Sequence, residues 1–189
     1  MLNIYFHGYL LQTLTSAVLD ALKTLKFLNV VRVDGARVCH STFKTISTNR
    51  WSLVDLGLSK CMGLQDFDIT WLITGCADLK VLNLSCCDSV TDAAIAAIAG
   101  SCRKLRSLKL ESCGSITEKS LGLLSSSCFL LEELDLTDCC GVNDMGKYML
   151  KDLTKILFLM HTACSQYSFC PEDCLTGACS LYCSFELPV

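Results

Sequence analysis

The stretch KVLNLSCCDSV, at Lys80–Val90, is written four times in the chain with small changes. The other copies are VDLGLSKCMGL at Val54–Leu64, RSLKLESCGSI at Arg106–Ile116 and EELDLTDCCGV at Glu132–Val142. In every copy two leucines stand two positions apart, and a cysteine follows the second leucine by three positions. Successive copies begin 26 residues apart. So many positions held in one register indicate a structural repeat.

Each repeat unit combines a strand signal with a helix signal. The alternating leucines have period two, which predicts a short strand with its leucines facing inward. The second half of the unit has apolar residues three apart, as on a helix face. Thr91-Asp92 and Thr117-Glu118 suit helix starts, because threonine caps free amides and an acid favours the helix dipole. Stacked units of this kind predict an α/β solenoid, a right-handed β-α superhelix with a parallel sheet on its concave face.

Seven of the 15 cysteines recur in two columns. A cysteine side chain is small and apolar, and its weak S–H donor can meet a backbone carbonyl. Metal binding or nucleophilic chemistry would need converging ligands or an activating base, which the spacing does not supply. We therefore predict a buried structural ladder of reduced thiols. The first column is Cys61, Cys87, Cys113 and Cys139, and the second is Cys76, Cys102 and Cys128.

The repeat pattern resembles the cysteine-containing subtype of leucine-rich repeat (LRR) that is typical of F-box/LRR proteins. The stretches LDLTDCCGVND (Leu134–Asp144) and LNLSCCDSVTDAAI (Leu82–Ile95) look most like plant members. The resemblance covers Leu25–Met145. It implies an LRR fold whose repeats recruit a protein substrate to an SCF-type E3 ubiquitin ligase, for ubiquitin-dependent degradation. The implied partners are that substrate, the Skp adaptor and a cullin.

The start of the chain departs from this family layout. Nothing in residues 1–24 resembles an F-box, which usually opens with an L-P motif. The alternative function is therefore a stand-alone LRR scaffold, or a truncated isoform without ligase attachment. An upstream F-box in a longer form would favour the ligase, and a genuine start at Met1 would favour the scaffold.

Both ends of the chain depart from the 26-residue pattern. We assign residues 25–146 to the repeats, although the first unit, Leu25–Ser52, is looser and about two residues longer. Residues 1–24 are interpreted as a partial, truncated repeat, in which the helix half is present and the strand is missing. Solenoids need polar caps, which these ends lack, so a fragment or splice product of a longer repeat protein is expected.

Residues 147–189 form a divergent, cysteine-rich tail that is expected to be poorly ordered. Two cysteine pairs, Cys170/Cys174 and Cys179/Cys183, each enclose three residues and lie near His161. Zinc sites usually have C-x-x-C pairs set further apart, so incidental sequence is favoured over a metal site. No metal and no cofactor are predicted.

Composition excludes several classes of function. The net charge is −3 and no basic cluster is present, which disfavours nucleic acid as a partner. No apolar run reaches the roughly 18–20 residues that span a bilayer, and no signal peptide is convincing. The prediction is an intracellular protein of the cytoplasm or nucleus without membrane attachment. The histidines are scattered and no catalytic motif is found, so a non-enzymatic protein is expected.

The exposed strand side chains are the predicted partner-binding surface, because residues alternate across a sheet. The acids Glu111, Glu132, Glu133, Asp135 and Asp138 give this face an acidic end. That end is either a solvated charged surface or a patch for a basic segment of a partner. The predicted contact residues are Asp55, Val81, Asn83, Ser107, Lys109, Glu111, Glu133, Asp135 and Thr137.

Overall fold

The computed structural model describes residues 2–5, 28–37, 40, 44, 52–142 and 158–160. Seven parallel strands form one sheet in the order of the sequence. They are β1 (Leu2–Tyr5), β2 (Leu28–Arg32), β3 (Asp55–Gly57), β4 (Val81–Asn83), β5 (Ser107–Lys109), β6 (Glu133–Asp135) and β7 (Phe158–Met160). Three helices connect the middle strands: α1 (Asp66–Thr74), α2 (Asp92–Ser101) and α3 (Glu118–Ser127). Every strand pairs with its sequence neighbour, which confirms the predicted α/β solenoid.

The pairing register reproduces the period that the sequence predicted. Leu56, Leu82, Leu108 and Leu134 lie side by side in β3 to β6, and each is no more than 2% exposed. They pack against helix residues that also recur every 26 positions, such as Ile69, Ile95 and Leu121. Burial of one such side chain contributes about 1.5–3 kcal/mol. One continuous core therefore lies between the sheet and the helices.

The first repeat is shorter than the sequence indicated. The predicted unit Leu25–Ser52 was longer than its neighbours, but the sheet pairs Val30 with Asp55 and Val31 with Leu56, a step of 25 residues. The expected register was therefore wrong in this unit. Leu28, which is fully buried, begins β2. The unit lacks the leucine-cysteine spacing of the later copies, and its apolar residues alone were not enough to align it correctly with them.

The sheet also extends beyond residues 25–146 at both ends. Strand β1 pairs with β2 in parallel, so the strand that was thought missing from residues 1–24 lies at Leu2–Tyr5. Strand β7 pairs with β6 and belongs to the tail that was assigned no repeat. The helix half expected within residues 1–24, and the tail beyond residue 160 with its two cysteine pairs, lie outside the described residues.

Hydrogen bonds to carboxylates tie the helix starts to the preceding repeat. Thr91 and Thr117 cap α2 and α3 as predicted, since their side chains accept from backbone N–H groups. Asp66 accepts from the amide (2.8 Å) and hydroxyl (2.6 Å) of Thr91. Asp92 accepts from the amide (2.9 Å) and hydroxyl (2.6 Å) of Thr117, and from the hydroxyl of Ser120. Asp66 and Asp92 therefore join neighbouring repeats, which for Asp92 adds to the dipole role that the sequence indicated.

His40 occupies the position in the first repeat that is equivalent to these acids. Its Nδ1 lies 2.9 Å from Oδ2 of Asp68, a carboxylate that is itself fully buried, while the His40 side chain remains 48% exposed. Asp68 lies 28 positions after His40, as Ser120 does after Asp92. The first repeat therefore makes the same contact with a different pair of groups.

A residue with left-handed backbone recurs just before the first cysteine column. Lys60, Cys86, Ser112 and Asp138 have φ between 56° and 59°. In this conformation the amide of Ser112 donates to Thr137 O at 2.7 Å, and the amide of Cys86 donates to Glu111 O in the same way. Gly35 has φ 77° and makes the equivalent bond to Ser59 O. The turn thus links neighbouring repeats through backbone hydrogen bonds. At the four positions that are not glycine, the Cβ makes the left-handed conformation sterically unfavourable.

We expect Ser112→Gly to raise the free energy of unfolding by about 0.5 kcal/mol. Glycine removes the steric cost of the left-handed conformation, and the larger entropy of the unfolded chain offsets part of that gain. Urea unfolding followed by circular dichroism measures the change. Ser112→Ala is the matched control, because it removes the hydroxyl and keeps the Cβ. Equal stability of the two variants would contradict the explanation.

None of the helices within the described ranges combines the length and the apolar character that crossing a bilayer requires.

Candidate partner-binding surface

The strands place the predicted contact residues in rows on the outer face of the sheet. Strand pairing sets Asp55, Val81, Ser107 and Glu133 side by side in one row. Gly57, Asn83, Lys109 and Asp135 form the next row. Neighbouring strands are about 4.8 Å apart, so a row of four side chains spans about 14 Å. We call this surface the outer sheet face; it also includes Glu111 and Thr137, which follow β5 and β6.

Burial on the outer sheet face differs from the expected full exposure. Ser107 and Asp135 are buried, at 8% and 4% exposed, and this part of the prediction was wrong. The hydroxyl of Ser107 donates to Glu133, whose longer side chain lies across it. Oδ1 of Asp135 accepts from the amide of Thr137 at 3.0 Å, which holds the carboxylate against the backbone. Glu111 is exposed, and the half-buried members are Asp55, Val81, Asn83, Lys109, Glu133 and Thr137.

Ion pairs engage two acids at the acidic end of the sheet. Glu132 pairs with Arg106, and Oε1 of Glu133 lies 3.1 Å from Nζ of Lys109. Asp135 is buried, as described above. The sequence left open whether these acids are a solvated charged surface or a patch for a basic partner, and the structure shows that the carboxylates of these three are already engaged within the protein. Each of these ion pairs joins two residues that are about one repeat apart in the sequence. Such residues lie beside each other on adjacent strands.

The environment of Glu133 keeps it ionised. Partial burial by itself raises the pKa of this carboxyl, but the hydrogen bonds from Ser107 and Lys109 and the positive charge of Lys109 outweigh it. The net pKa lies below its usual value. Glu133 is therefore a charged group whose two oxygens are already engaged within the protein.

Arg32 is a member of the outer sheet face that the sequence analysis missed. It pairs with Gly57 in the sheet, and its guanidinium lies 2.8 Å from Oδ2 of Asp55. A Cβ at Gly57 would stand 2.8 Å from Cγ of Arg32. The glycine therefore leaves room for the Arg32 side chain to lie over β3 and reach Asp55. The sequence analysis missed this contact because it aligned the first repeat incorrectly with the next one. The observed step of 25 residues pairs Arg32 with Gly57 on the outer sheet face.

The first cysteine column lies inside the turn that follows each strand. The four thiols are no more than 4% exposed, and each S–H donates to a carbonyl of the preceding repeat. The Sγ···O distances are 3.3 Å from Cys61 to Val33, 3.2 Å from Cys87 to Leu58, 3.2 Å from Cys113 to Leu84 and 2.9 Å from Cys139 to Leu110. These contacts fit a structural ladder.

The second cysteine column lies at the ends of the helices. Cys76, Cys102 and Cys128 are no more than 2% exposed, and Cys76 donates to Leu72 O at 3.2 Å. Burial raises the pKa of the Cys76 and Cys102 thiols to about 12 and that of Cys128 to about 11. In the first column, burial raises the pKa of Cys87 to about 12 and that of Cys113 to about 11. Such thiols are poor nucleophiles.

Cys140 differs from the other described cysteines. Those others are free thiols, whereas Cys140 is disulfide-bonded. The expectation of reduced thiols is therefore wrong at this position. Within the part of the chain that the structure describes, no cluster of three or more histidine, cysteine or acidic side chains could hold a metal ion.

Comparisons with known proteins agree with this architecture. The sequence model of the family described as Leucine Rich repeat matches residues 75–99. No curated protein matches the chain. Among solved structures, the crystal structure of the Rad7 and Elc1 complex in yeast matches with a TM-score of 0.60 and 18% identity. The match covers 71% of this chain and 37% of that chain. The fold is thus a leucine-rich-repeat solenoid, an architecture that generally serves as a non-catalytic module for protein–protein interaction.

Proposed function

We propose that this leucine-rich-repeat protein recognises a protein substrate through its outer sheet face. The observation that carries the proposal is the alignment of side chains from consecutive repeats into rows on one side of the sheet. Lys109 and Arg32 keep N–H donors beyond those used in their ion pairs. Asn83 lies beside Lys109 in the row, and its Oδ1 accepts from the amide of Ser85. A surface with fixed, spaced polar groups favours recognition of one partner over others.

We further propose that substrate recognition serves an SCF-type E3 ubiquitin ligase in the cytoplasm or nucleus. Support comes from the cysteine-containing repeat, which resembles that of F-box/LRR proteins. In that family, a separate F-box docks on the Skp adaptor, which is tied to a cullin. The Rad7 and Elc1 structure gives a similar fold in a protein complex, and Elc1 is the partner named there. A stand-alone LRR scaffold is the second candidate, because the rows of side chains on the outer sheet face suit protein binding with or without a ligase.

Capture from native extract tests the two candidates. The full chain is the bait, and the captured proteins are probed for the Skp adaptor and the cullin. Their recovery supports the ligase function. Their absence, with other proteins captured, supports the scaffold and contradicts the ligase.

The control bait is the Leu82→Asp variant, because Leu82 is fully buried in β4 and a charge there disrupts the sheet. Partners that recognise the folded repeats are lost with this bait. Equal capture by both baits would contradict recognition through the folded surface.

A further inference from the structure

Three turns stack along the edge where each helix returns to the sheet. The amide of Leu79 donates to Cys76 O, that of Leu105 to Cys102 O and that of Leu131 to Cys128 O, at 3.0–3.1 Å. The central residues of the three turns are Ala77-Asp78, Arg103-Lys104 and Phe129-Leu130. Because the turns have the same geometry one repeat apart, their central side chains form a continuous ridge. We call this surface the turn edge and include in it Lys80, Arg106 and Glu132, which follow the turns.

The turn edge is positively charged in a protein whose net charge is −3. It carries four cations (Lys80, Arg103, Lys104 and Arg106) and two carboxylates (Asp78 and Glu132), so its net charge is +2. The carboxylates are paired, since Nζ of Lys104 lies 2.6 Å from Asp78 and Arg106 pairs with Glu132. Arg103 and Lys80 are exposed, and within the described residues neither has an ion pair. Positive charge at this edge therefore remains uncompensated.

An exposed aromatic ring stands beside this charge. Phe129 is 61% exposed and holds the turn position that Arg103 holds one repeat earlier. Leu130, next to it, is half-buried. Backbone hydrogen bonds from Arg106 to Lys80 O (2.8 Å) and from Glu132 to Arg106 O (2.7 Å) keep the turns at a fixed separation. The cations and the ring are therefore rigidly placed next to each other.

We propose that the turn edge, which adjoins the outer sheet face, is a second docking surface, for an acidic segment of a partner polypeptide that carries an apolar side chain. The carboxylates of the segment face Arg103 and Lys80, and its apolar side chain covers Phe129. Arginine and aromatic side chains supply much of the energy at protein interfaces, and complementary charge speeds association. The proposal does not depend on ubiquitin-ligase attachment.

A polypeptide fits the turn edge better than the other anionic partners do. Binding to anionic lipid usually uses clusters of about four to eight cations, each worth about 1 kcal/mol near the surface. Among the described residues, the turn edge has two cations that form no ion pair, Arg103 and Lys80, and one exposed ring. Nucleic acid would need a larger basic stripe. The paired Asp78 and Glu132 also repel an extended anionic surface, whereas a short segment can avoid them.

Fluorescence anisotropy with the fluorescein-labelled peptide Glu-Glu-Leu-Glu-Glu tests the proposal on the full chain. We expect saturable binding that weakens as salt is raised, because salt screens exposed charges. Arg103→Glu should weaken binding at least about tenfold, and Phe129→Ser about fivefold. Lys60→Glu is the matched control: it makes the same charge change at an exposed turn on the other edge, and should change the dissociation constant less than about twofold.

Several outcomes would overturn the proposal. One is equal binding by wild type, Arg103→Glu and Phe129→Ser; another is a comparable loss with Lys60→Glu. Preference for the peptide Lys-Lys-Leu-Lys-Lys would also overturn it. Binding to phosphatidylserine vesicles but not to the acidic peptide, with the same variants reducing it, would assign the edge to a membrane instead. Thermal unfolding of each variant checks that these surface changes leave the fold intact.

Discussion

Asp92→Ala is expected to lower the free energy of unfolding by about 3 kcal/mol. Its carboxylate accepts three hydrogen bonds from the next repeat, two from Thr117 and one from Ser120. Ser120 is fully buried, so its hydroxyl loses its partner where water does not replace it. Hydrogen bonds to charged groups contribute about 1.5–3 kcal/mol each, and a buried unsatisfied group costs about 1–3 kcal/mol. Urea unfolding measures the loss.

Asp88→Ala is the control for this prediction, because Asp88 is an exposed acid in the same repeat. It removes the same charge and should change stability by less than about 0.5 kcal/mol. A loss for Asp92→Ala no larger than that for Asp88→Ala would contradict the role of Asp92 in joining repeats.

The stabilisation by Asp92 should also depend on pH. Partial burial alone raises the pKa of Asp92, but the hydrogen bonds from Ser120 and Thr117 outweigh it, and the pKa in the folded protein lies below its ordinary value. The contribution is therefore present above the unfolded pKa and is lost as pH falls through the lower folded pKa. Wild type should lose stability more steeply than Asp92→Ala in that acidic range. Parallel curves would contradict the prediction.

The second large effect is the labelling of adjacent cysteines at very different rates. Cys87 is 2% exposed, its S–H donates to Leu58 O, and burial raises its pKa to about 12. Cys86 is a free thiol that is only half-buried. Iodoacetamide reacts with an accessible thiolate, so Cys86 should be alkylated at least about 100-fold faster than Cys87 in the folded protein.

Trypsin releases both thiols in one peptide, Val81–Arg103, which also contains the buried Cys102. Tandem mass spectrometry then compares the three sites within a single molecule. In urea the rates should converge, because the local fold alone separates them. Rapid labelling of Cys87 without denaturant, or of Cys113, would contradict a buried ladder.

The sequence predicts the fold well where the repeat is regular. Between Leu53 and Val142, the strand leucines, the helix columns and the buried cysteines follow from one period, since each of these positions has the same environment in every unit. Prediction failed in the first unit, whose 25-residue step lacks the leucine-cysteine marker. It also missed β1 and β7, because a short strand is recognised mainly through its repeat context.

The side-chain contacts of the surface were harder to predict than the fold. The alternation of residues along the strands correctly places Ser107 and Asp135 on the outer side of the sheet. It does not show that the Ser107 hydroxyl donates to Glu133. It also does not show that the Asp135 carboxylate accepts from the amide of Thr137. The pairs of Lys104 with Asp78 and of Arg106 with Glu132 are each 26 residues apart. The period therefore contained the signal for these ion pairs, since equivalent positions lie side by side. The sequence analysis missed these ion pairs because it considered each charged residue separately and did not compare equivalent positions of neighbouring repeats.

Site-specific photo-crosslinking in native cells tests the central claim, that the outer sheet face contacts the protein partner. Benzoylphenylalanine replaces either Asn83, on that face, or Ala96, an exposed residue of α2 on the helix side. Both positions lie in the same repeat, so expression and folding can be matched. The account predicts a discrete crosslinked partner from position 83 and none from position 96. A crosslink from position 96 alone, or equal crosslinks from both positions, would contradict it.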